Sequence, residues 1–214
     1  MQPVRAWSRL GGVPSRHGPA GHHLKTRNEK NMFRTITGTA ALSATALTLA
    51  LGGPAAAAGI GVRDPQDTFH GSDLRAVQLI NNDRNVVVVT SHTNLRRDPR
   101  TGSGGAVYVD TDPGDKGPEL VFVGGFFEGT DYQLVRTEGF GVEQWGVPVD
   151  GSYEMTVDYA RERVRMRMSR EALGGPEEVR IAVRVAGTRT DGTSTGLVDW
   201  LGEPRSFTPW VARG

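Results

Sequence analysis

Acidic residues cluster in one short stretch of the chain, where a strand-like segment runs into a turn. Residues 106–119 read AVYVDTDPGDKGPE, a strand ending in alternating carboxylates around a Pro-Gly turn. Ca²⁺ takes about six to eight oxygen ligands from carboxylates and carbonyls. We therefore predict a calcium site from Asp110, Asp112, Asp115, Asp73 and Glu119. The alternative is an Asx-rich turn, in which the carboxylates accept hydrogen bonds from backbone N–H groups.

Aromatic residues offer a second chemistry, the binding of sugars. Phe126 and Phe127 lie between glycines in GGFFEG, and Trp145 follows two predicted strands later. The flat face of an aromatic ring can cover the apolar face of a pyranose while the ring edge stays hydrated. We predict Phe126, Phe127 and Trp145 as ligand-binding residues. The alternative is that one phenylalanine packs in the core and the other shields it, with Trp200 and Trp210 closing the core.

Residue types that carry catalysis are scarce after residue 58. The histidines there are His70 and His92, and His92 follows Ser91 on a predicted strand, where neighbouring side chains point to opposite faces. The chain has no cysteine. It also lacks the HExxH and P-loop motifs. We expect a protein that is not an enzyme and has no catalytic residue, and a hydrolase is the remaining alternative.

The segment from Met32 to Gly59 has the features of a secretory signal peptide. Arg34 precedes an apolar run of about 16 residues, and Ala56 and Ala58 form an A-x-A cleavage site before Gly59. A membrane span needs roughly 20 apolar residues. We therefore predict a mis-assigned or disordered extension over 1–31, a signal peptide over 32–58, and secretion to the extracellular space without later membrane attachment.

Removal of this segment changes the sign of the net charge. Residues 1–58 hold seven Arg and Lys residues and one Glu, a net charge of +6, whereas the whole chain carries +1. Residues 59–214 therefore carry a net charge of −5. A negative domain of this kind argues against nucleic acid as a partner.

The rest of the chain reads as short strands separated by Gly, Pro, Asp and Asn. One short helical piece is predicted at Arg170–Leu173, before Gly174 and Gly175. About eight to ten strands with almost no helix indicate an all-β fold, a single antiparallel β-sandwich of jelly-roll or immunoglobulin-like type. We assign this sandwich to 73–214 and a flexible segment to 59–72. The predicted strands are Leu74–Ile80, Asn85–Ser91, Ala106–Asp110, Leu120–Gly124, Asp131–Glu138, Val142–Val147, Tyr153–Tyr159, Arg163–Ser169, Val179–Ala186 and Ser206–Val211.

One hairpin can be predicted down to its register. Alternation places Met155 opposite Met166 on an apolar face and Glu154 opposite Arg167 on a polar face. The arginines between 161 and 170 could alternatively form a polyanion-binding stripe. Because two of them lie opposite carboxylates in this register, we favour a solvated strand face with cross-strand ion pairs.

The order of these features resembles the DOMON-like and family 9 carbohydrate-binding-module sandwiches. The matching segments are Ser72–Leu74, Val107–Asp112, Tyr132–Val135, Met168–Gly174 and Val179–Val185. The chain is also similar to small secreted actinobacterial proteins of unknown function. The resemblance implies a jelly-roll sandwich, structural calcium and sugar binding.

Together these features predict a secreted, non-catalytic β-sandwich protein that binds an extracellular ligand. Its expected partner is a glycan or another cell-wall polymer, and its expected cofactor is Ca²⁺. The alternative is a structural or interaction protein of the cell envelope that has no small-molecule ligand.

Overall fold

The computed structural model describes residues 58–68, 72–188 and 197–214. The predicted extension and nearly all of the predicted signal peptide lie outside these ranges, as does His70. The described residues form twelve strands. These are β1 Ala58–Arg63, β2 Leu74–Asn81, β3 Asn85–His92, β4 Gly104–Asp110, β5 Leu120–Gly125, β6 Tyr132–Thr137, β7 Trp145–Pro148, β8 Tyr153–Asp158, β9 Arg163–Ser169, β10 Glu178–Gly187, β11 Leu197–Trp200 and β12 Val211–Ala212.

The strands form two antiparallel sheets that pack together as a β-sandwich, which confirms the predicted fold class. The smaller sheet has the order β1-β2-β3-β9-β8, and the larger sheet has the order β11-β10-β4-β5-β6-β7. Strand β12 pairs with the first two residues of β10. Sequence neighbours such as β4, β5 and β6 join by short turns, whereas β9 and β10 pair with strands far back in the chain.

The main core lies between the two sheets and follows the alternation of the strands. In β4, Val107 and Val109 point into this core, while Ala106 and Tyr108 belong to a second buried cluster. Successive side chains of a strand point to opposite faces, so the second cluster lies on the outer face of the larger sheet. Both faces of that sheet are therefore covered, and β4 is buried along its whole length.

The predicted hairpin register is confirmed. Met155 pairs with Met166 and Glu154 with Arg167. The two methionines are buried, while both Nε and Nη2 of Arg167 donate to the Glu154 carboxylate at 3.0 and 3.1 Å. The arginine-rich segment therefore forms ion pairs on a solvent-facing strand, as predicted.

The structure differs from the prediction at several places. The predicted strands Val142–Val147 and Ser206–Val211 are strands only over Trp145–Pro148 and Val211–Ala212. Gly59–Arg63, expected to be flexible, forms with Ala58 an edge strand that pairs along its full length with β2. Strand β11 was not predicted, since it is short and follows a polar stretch. The predicted helical piece at Arg170–Leu173 is a hydrogen-bonded turn, because the αL conformations of Gly174 and Gly175 end it at once.

The described ranges contain no α-helix, only 3-10 turns at Pro99–Thr101 and Val142–Gln144. Within these ranges no helix combines the length and the apolar character needed to cross a membrane.

Candidate functional site

Phe126 is a core residue, which corrects its prediction as a ligand-binding residue. Its side chain is completely buried and its ring centroid lies 5.1 Å from that of His92. A Cβ atom added to Gly105 would lie 2.5 Å from Phe126 Cζ, so this glycine makes room for the ring. Phe127 is half-buried, and Gly125 leaves similar space beside it. The pair therefore follows the alternative interpretation, with one ring in the core and the other covering it.

Trp145 lies elsewhere, on the outer face of the larger sheet, where it joins a group of aromatic side chains. We call this group the aromatic face; its members are Tyr108, Phe140, Trp145, Trp200 and Phe207. Tyr108 forms its buried floor and stacks on Trp200 at 5.9 Å with 15° between the planes. The other four rings remain partly exposed.

Contacts among the rings hold this face in place. Phe140 lies 4.8 Å from Tyr108, 5.9 Å from Trp200 and 5.5 Å from Phe207 between ring centroids. The Tyr108 hydroxyl donates to the Phe140 carbonyl at 2.8 Å. Aromatic pairs at these separations are favourable in tilted or offset geometry. The partly exposed rings therefore stand on a fixed floor.

Exposed apolar side chains flank the aromatic face. Val147 is 65% exposed and lies two residues after Trp145 on β7. Val198 is 37% exposed and stands in the same relation to Trp200 on β11. Val142, 53% exposed, belongs to the turn that leads into β7. Three of the four large apolar side chains that are exposed in the described ranges thus lie around this face.

Polar groups lie among these side chains. Gln133 on β6 is paired with Val123, which lies on the outer face. Burial raises the pKa of Tyr108, and the nearby charge of Arg184 on β10 lowers it. Neither the Gln133 amide nor the Arg184 guanidinium forms a side-chain hydrogen bond within the described residues. The face therefore combines flat apolar rings with hydrogen-bonding groups that are available to a ligand.

The acidic turn predicted to bind calcium is held by internal bonds. Asp110 is fully buried, and its Oδ2 accepts from Arg180 Nε at 2.8 Å and lies 2.6 Å from Arg180 Nη2 in an ion pair. The same guanidinium lies 4.6 Å from the ring centroids of both Phe207 and Trp210. Asp110 is thus neutralised by a cation that the aromatic residues hold in place.

The other carboxylates of this turn bond mainly to backbone N–H groups. Asp112 Oδ1 accepts from Gly114 N at 2.8 Å, and Asp115 Oδ1 accepts from Lys116 N at 2.6 Å. Glu119 Oε2 accepts from Thr111 N at 2.6 Å and from its hydroxyl at 2.9 Å. Asp73 bonds to Thr68 and Thr93 instead. In the described part of the chain these five carboxylates do not come together, and the turn has the Asx-rich form.

A different group of carboxylates lies together at one end of the sandwich. One oxygen each from Asp64, Asp67 and Asp199 lies within 4.8 Å of the other two. Asp64 directly follows β1, Asp67 follows on an exposed loop, and Asp199 is an inward-facing residue of β11. We call these three residues the aspartate cluster.

Hydrogen bonds from this cluster connect distant elements. Asp64 Oδ1 accepts from Gly202 N at 2.8 Å, which ties the end of β1 to the segment after β11. Asp199 Oδ2 accepts from Leu74 N at 2.7 Å, which ties β11 in the larger sheet to β2 in the smaller one. Asp64 Oδ2 is buried and has no hydrogen-bond partner among the described residues.

Burial makes two members of the aspartate cluster weak acids. Burial raises the pKa of Asp64 to about 6, and the charges of Asp67 and Asp73 add to the rise. The hydrogen bond from Gly202 N–H lowers this pKa but does not cancel the rise. Burial also raises the pKa of Asp199 to about 7, although the hydrogen bond from Leu74 N–H lowers it. Desolvation and neighbouring negative charge both disfavour a carboxylate.

Sequence reasoning did not find this cluster. Asp64 and Asp67 lie close together in the sequence, but they fall in residues 59–72, the segment expected to be flexible. The available signal was Asp199, a charged residue in the apolar run LVDWL. Charged residues are almost never fully buried unless they are paired, so an inward-facing aspartate on a strand points to a partner.

His92 is part of the core. Its Nδ1–H donates to the Ser72 carbonyl at 3.1 Å, so Nε2 is left to accept from the Thr90 hydroxyl at 2.6 Å. The ring is 5% exposed. These contacts account for its buried position.

The likeness to DOMON-like and carbohydrate-binding sandwiches remains a prediction from the sequence. No protein-family model, no curated protein and no solved structure matches the chain.

Proposed function

We propose that the protein is a secreted, non-catalytic β-sandwich that binds an extracellular glycan through the aromatic face. The observation that carries this proposal is the set of four partly exposed rings over the outer face of the larger sheet. Trp145 is the one residue predicted from the sequence that belongs to it. Trp200, expected to close the core, is the second ring we assign to binding.

The chemistry of this face suits a sugar better than a small apolar ligand. An apolar ligand would need a concave pocket that removes most of its surface from water. A sugar ring instead stacks one face on an aromatic ring and keeps its hydroxyl groups wet. Arg184 and Gln133 lie on the same face and can bond to those hydroxyl groups. The predicted export places the protein where polysaccharides are the abundant polymers.

Binding of purified protein to insoluble and soluble polysaccharides tests the proposal. The set should include chitin, cellulose, xylan and peptidoglycan, with tryptophan fluorescence to follow soluble fragments. We expect Trp200→Ala and Trp145→Ala each to weaken binding at least tenfold, because each removes a stacking surface. Tyr132→Ala is the matched control, since Tyr132 is also a partly exposed aromatic residue, but it contacts Phe122 and Tyr153 instead of the aromatic face.

The same experiment separates the alternatives. Folded protein that binds no polysaccharide would favour an interaction protein of the cell envelope, in which exposed Val142, Val147 and Val198 contact another protein. Equal loss of binding in Tyr132→Ala and Trp200→Ala would place the ligand elsewhere. Release of soluble products from any substrate would favour a hydrolase.

A further inference from the structure

We propose that the aspartate cluster binds one Ca²⁺ ion, which joins the two sheets at this end of the sandwich. The three ligands are Asp64, Asp67 and Asp199. This site is independent of the glycan-binding proposal and lies apart from the acidic turn at Asp110–Glu119.

The spacing of the oxygens fits a single calcium ion. Ligand oxygens lie about 2.3–2.6 Å from Ca²⁺, so two ligands of one ion are at most about 5 Å apart. The three oxygens of the cluster satisfy this limit, since all lie within 4.8 Å of one another. Mg²⁺ binds at about 2.0–2.1 Å in a strict octahedron and keeps several waters, so the same set suits it less well.

A buried oxygen without a partner is the second observation. Asp64 is 5% exposed, and its Oδ2 accepts no hydrogen bond from any residue of the described ranges although it is removed from water. A buried polar atom left in this state is costly, and nearly all such atoms in folded proteins have a partner. A cation beside the three carboxylates would supply that partner.

Within the described ranges, no Arg or Lys side chain forms a salt bridge with the cluster. Arg75 Nη1 instead lies 3.6 Å from Oδ2 of Asp73, outside the cluster. Asp73 itself is satisfied, because it accepts from the N–H and hydroxyl of Thr68 and from the hydroxyl of Thr93. Asp73 therefore adds negative charge nearby, and the three ligand carboxylates repel one another unless a cation or protons intervene.

The location of the cluster gives the ion a structural role. Asp64 and Asp199 already connect β1, β2 and β11 through hydrogen bonds to backbone N–H groups. The chain has no cysteine and hence no disulfide to make such a connection. Calcium bound here would hold the edge strand β1 against the end of β11 and so couple the two sheets.

The test compares thermal midpoints of the purified protein in EDTA, in 10 mM CaCl₂ and in 10 mM MgCl₂ at matched ionic strength and pH 7.5. Extracellular sites commonly have a Kd of about 10⁻⁴–10⁻³ M, so this concentration is roughly ten to a hundred times Kd. We expect calcium to raise the wild-type midpoint by about 3 °C or more, and magnesium to raise it much less. Luminescence of Tb³⁺ excited through tryptophan, displaced by Ca²⁺, gives a direct measure of binding.

The variants locate the ion. Asp67→Asn changes an exposed residue and should fold normally, yet it should weaken calcium binding at least tenfold. Asp199→Asn keeps an acceptor for Leu74 N–H and should abolish the calcium response. Asp112→Asn/Asp115→Asn removes two exposed carboxylates of the acidic turn and should respond like the wild type.

Three results would overturn the proposal. The first is an unchanged wild-type midpoint together with no displacement of Tb³⁺ by calcium. The second is a calcium response that survives Asp67→Asn and Asp199→Asn but is lost in Asp112→Asn/Asp115→Asn, which would place the ion in the acidic turn. The third is an equal response to magnesium, which would contradict the assignment to calcium.

Discussion

Burial in the fold disfavours the ionised forms of Asp64 and Asp199. Their pKa values of about 6 and about 7 lie above the ordinary value of 3.8 in an unfolded chain. At pH values between 3.8 and these raised pKa values, the folded protein binds more protons than the unfolded chain. Stability from these two groups is therefore fully present below about pH 4 and is lost as pH rises through about 6 and 7.

This linkage gives a prediction at the residue scale. In EDTA, the free energy of unfolding contributed by the two acids should fall between pH 4 and pH 8, by on the order of 3 kcal/mol per acid. Asp64→Asn/Asp199→Asn should remove this fall. Urea titrations at each pH measure it, and the difference between wild type and variant cancels the carboxylates elsewhere in the chain.

The charged groups that face the two acids set the size of the effect. Asp67 and Asp73 raise both pKa values, and Arg75 lowers that of Asp64. Calcium should flatten the wild-type profile, since the ion favours the ionised forms. A pH profile that is the same for wild type and double variant in EDTA would show that neither acid titrates in this range.

At the scale of elements, the hairpin of β8 and β9 has one apolar and one polar face. Met155 is 9% exposed and lies against Gly124, where an added Cβ would come within 2.7 Å of its sulfur. Met155→Asp should lower the free energy of unfolding by about 3 kcal/mol or more, because it buries an unpaired charge. Glu154→Ala should change the urea midpoint little, because its ion pairs with Arg165 and Arg167 are exposed to water.

The test compares the urea midpoints of Met155→Asp and Glu154→Ala. Equal shifts of the urea midpoint would contradict the assignment of the two faces. Met155→Leu serves as a control, since it keeps the volume and apolar character of the side chain and should cost little.

At the scale of the whole molecule, we predict that secretion removes residues 1–58. Protein recovered from the medium of a suitable bacterial host should begin at Gly59 or within two residues of it, because Ala56 and Ala58 provide small side chains at the cleavage site. Intact mass of the supernatant protein measures this start. The secreted chain would keep Gly59–Arg63 of β1 and carry a net charge of −5.

Ala58→Arg is the control for cleavage. It should block processing at this site and leave the precursor in the cell, while a neighbouring change such as Gly61→Ala should not. Gly61 is suitable because an added Cβ meets no atom within 4 Å. A secreted species that still contains Met32–Leu51 would contradict the signal-peptide prediction.

Local patterns in the sequence determined the fold class and much of the strand order along the chain. Alternation of Met155, Val157 and Val164 with charged residues determines a register, because a shift by one residue would turn every apolar side chain outward. Turn residues such as Gly174 and Gly175 likewise mark where elements end. The edge strand β1 lacked such a signal, because its Ala-Gly-Ile-Gly sequence is stabilised by pairing with β2 and not by its own preference.

Only the tertiary structure decided which residues meet. Asp110 was predicted as a metal ligand, but in the fold it pairs with Arg180 of β10. Phe126 was predicted to bind a ligand, but its ring packs in the core, where Gly105 leaves space for it. Asp64 and Asp199 lie far apart in the chain, and Trp145 and Trp200 stand on opposite edge strands of one sheet. The proximity of the two aspartates and the shared face of the two tryptophans depend on strand order and sheet packing. Long-range contacts set both, and local sequence patterns do not predict them.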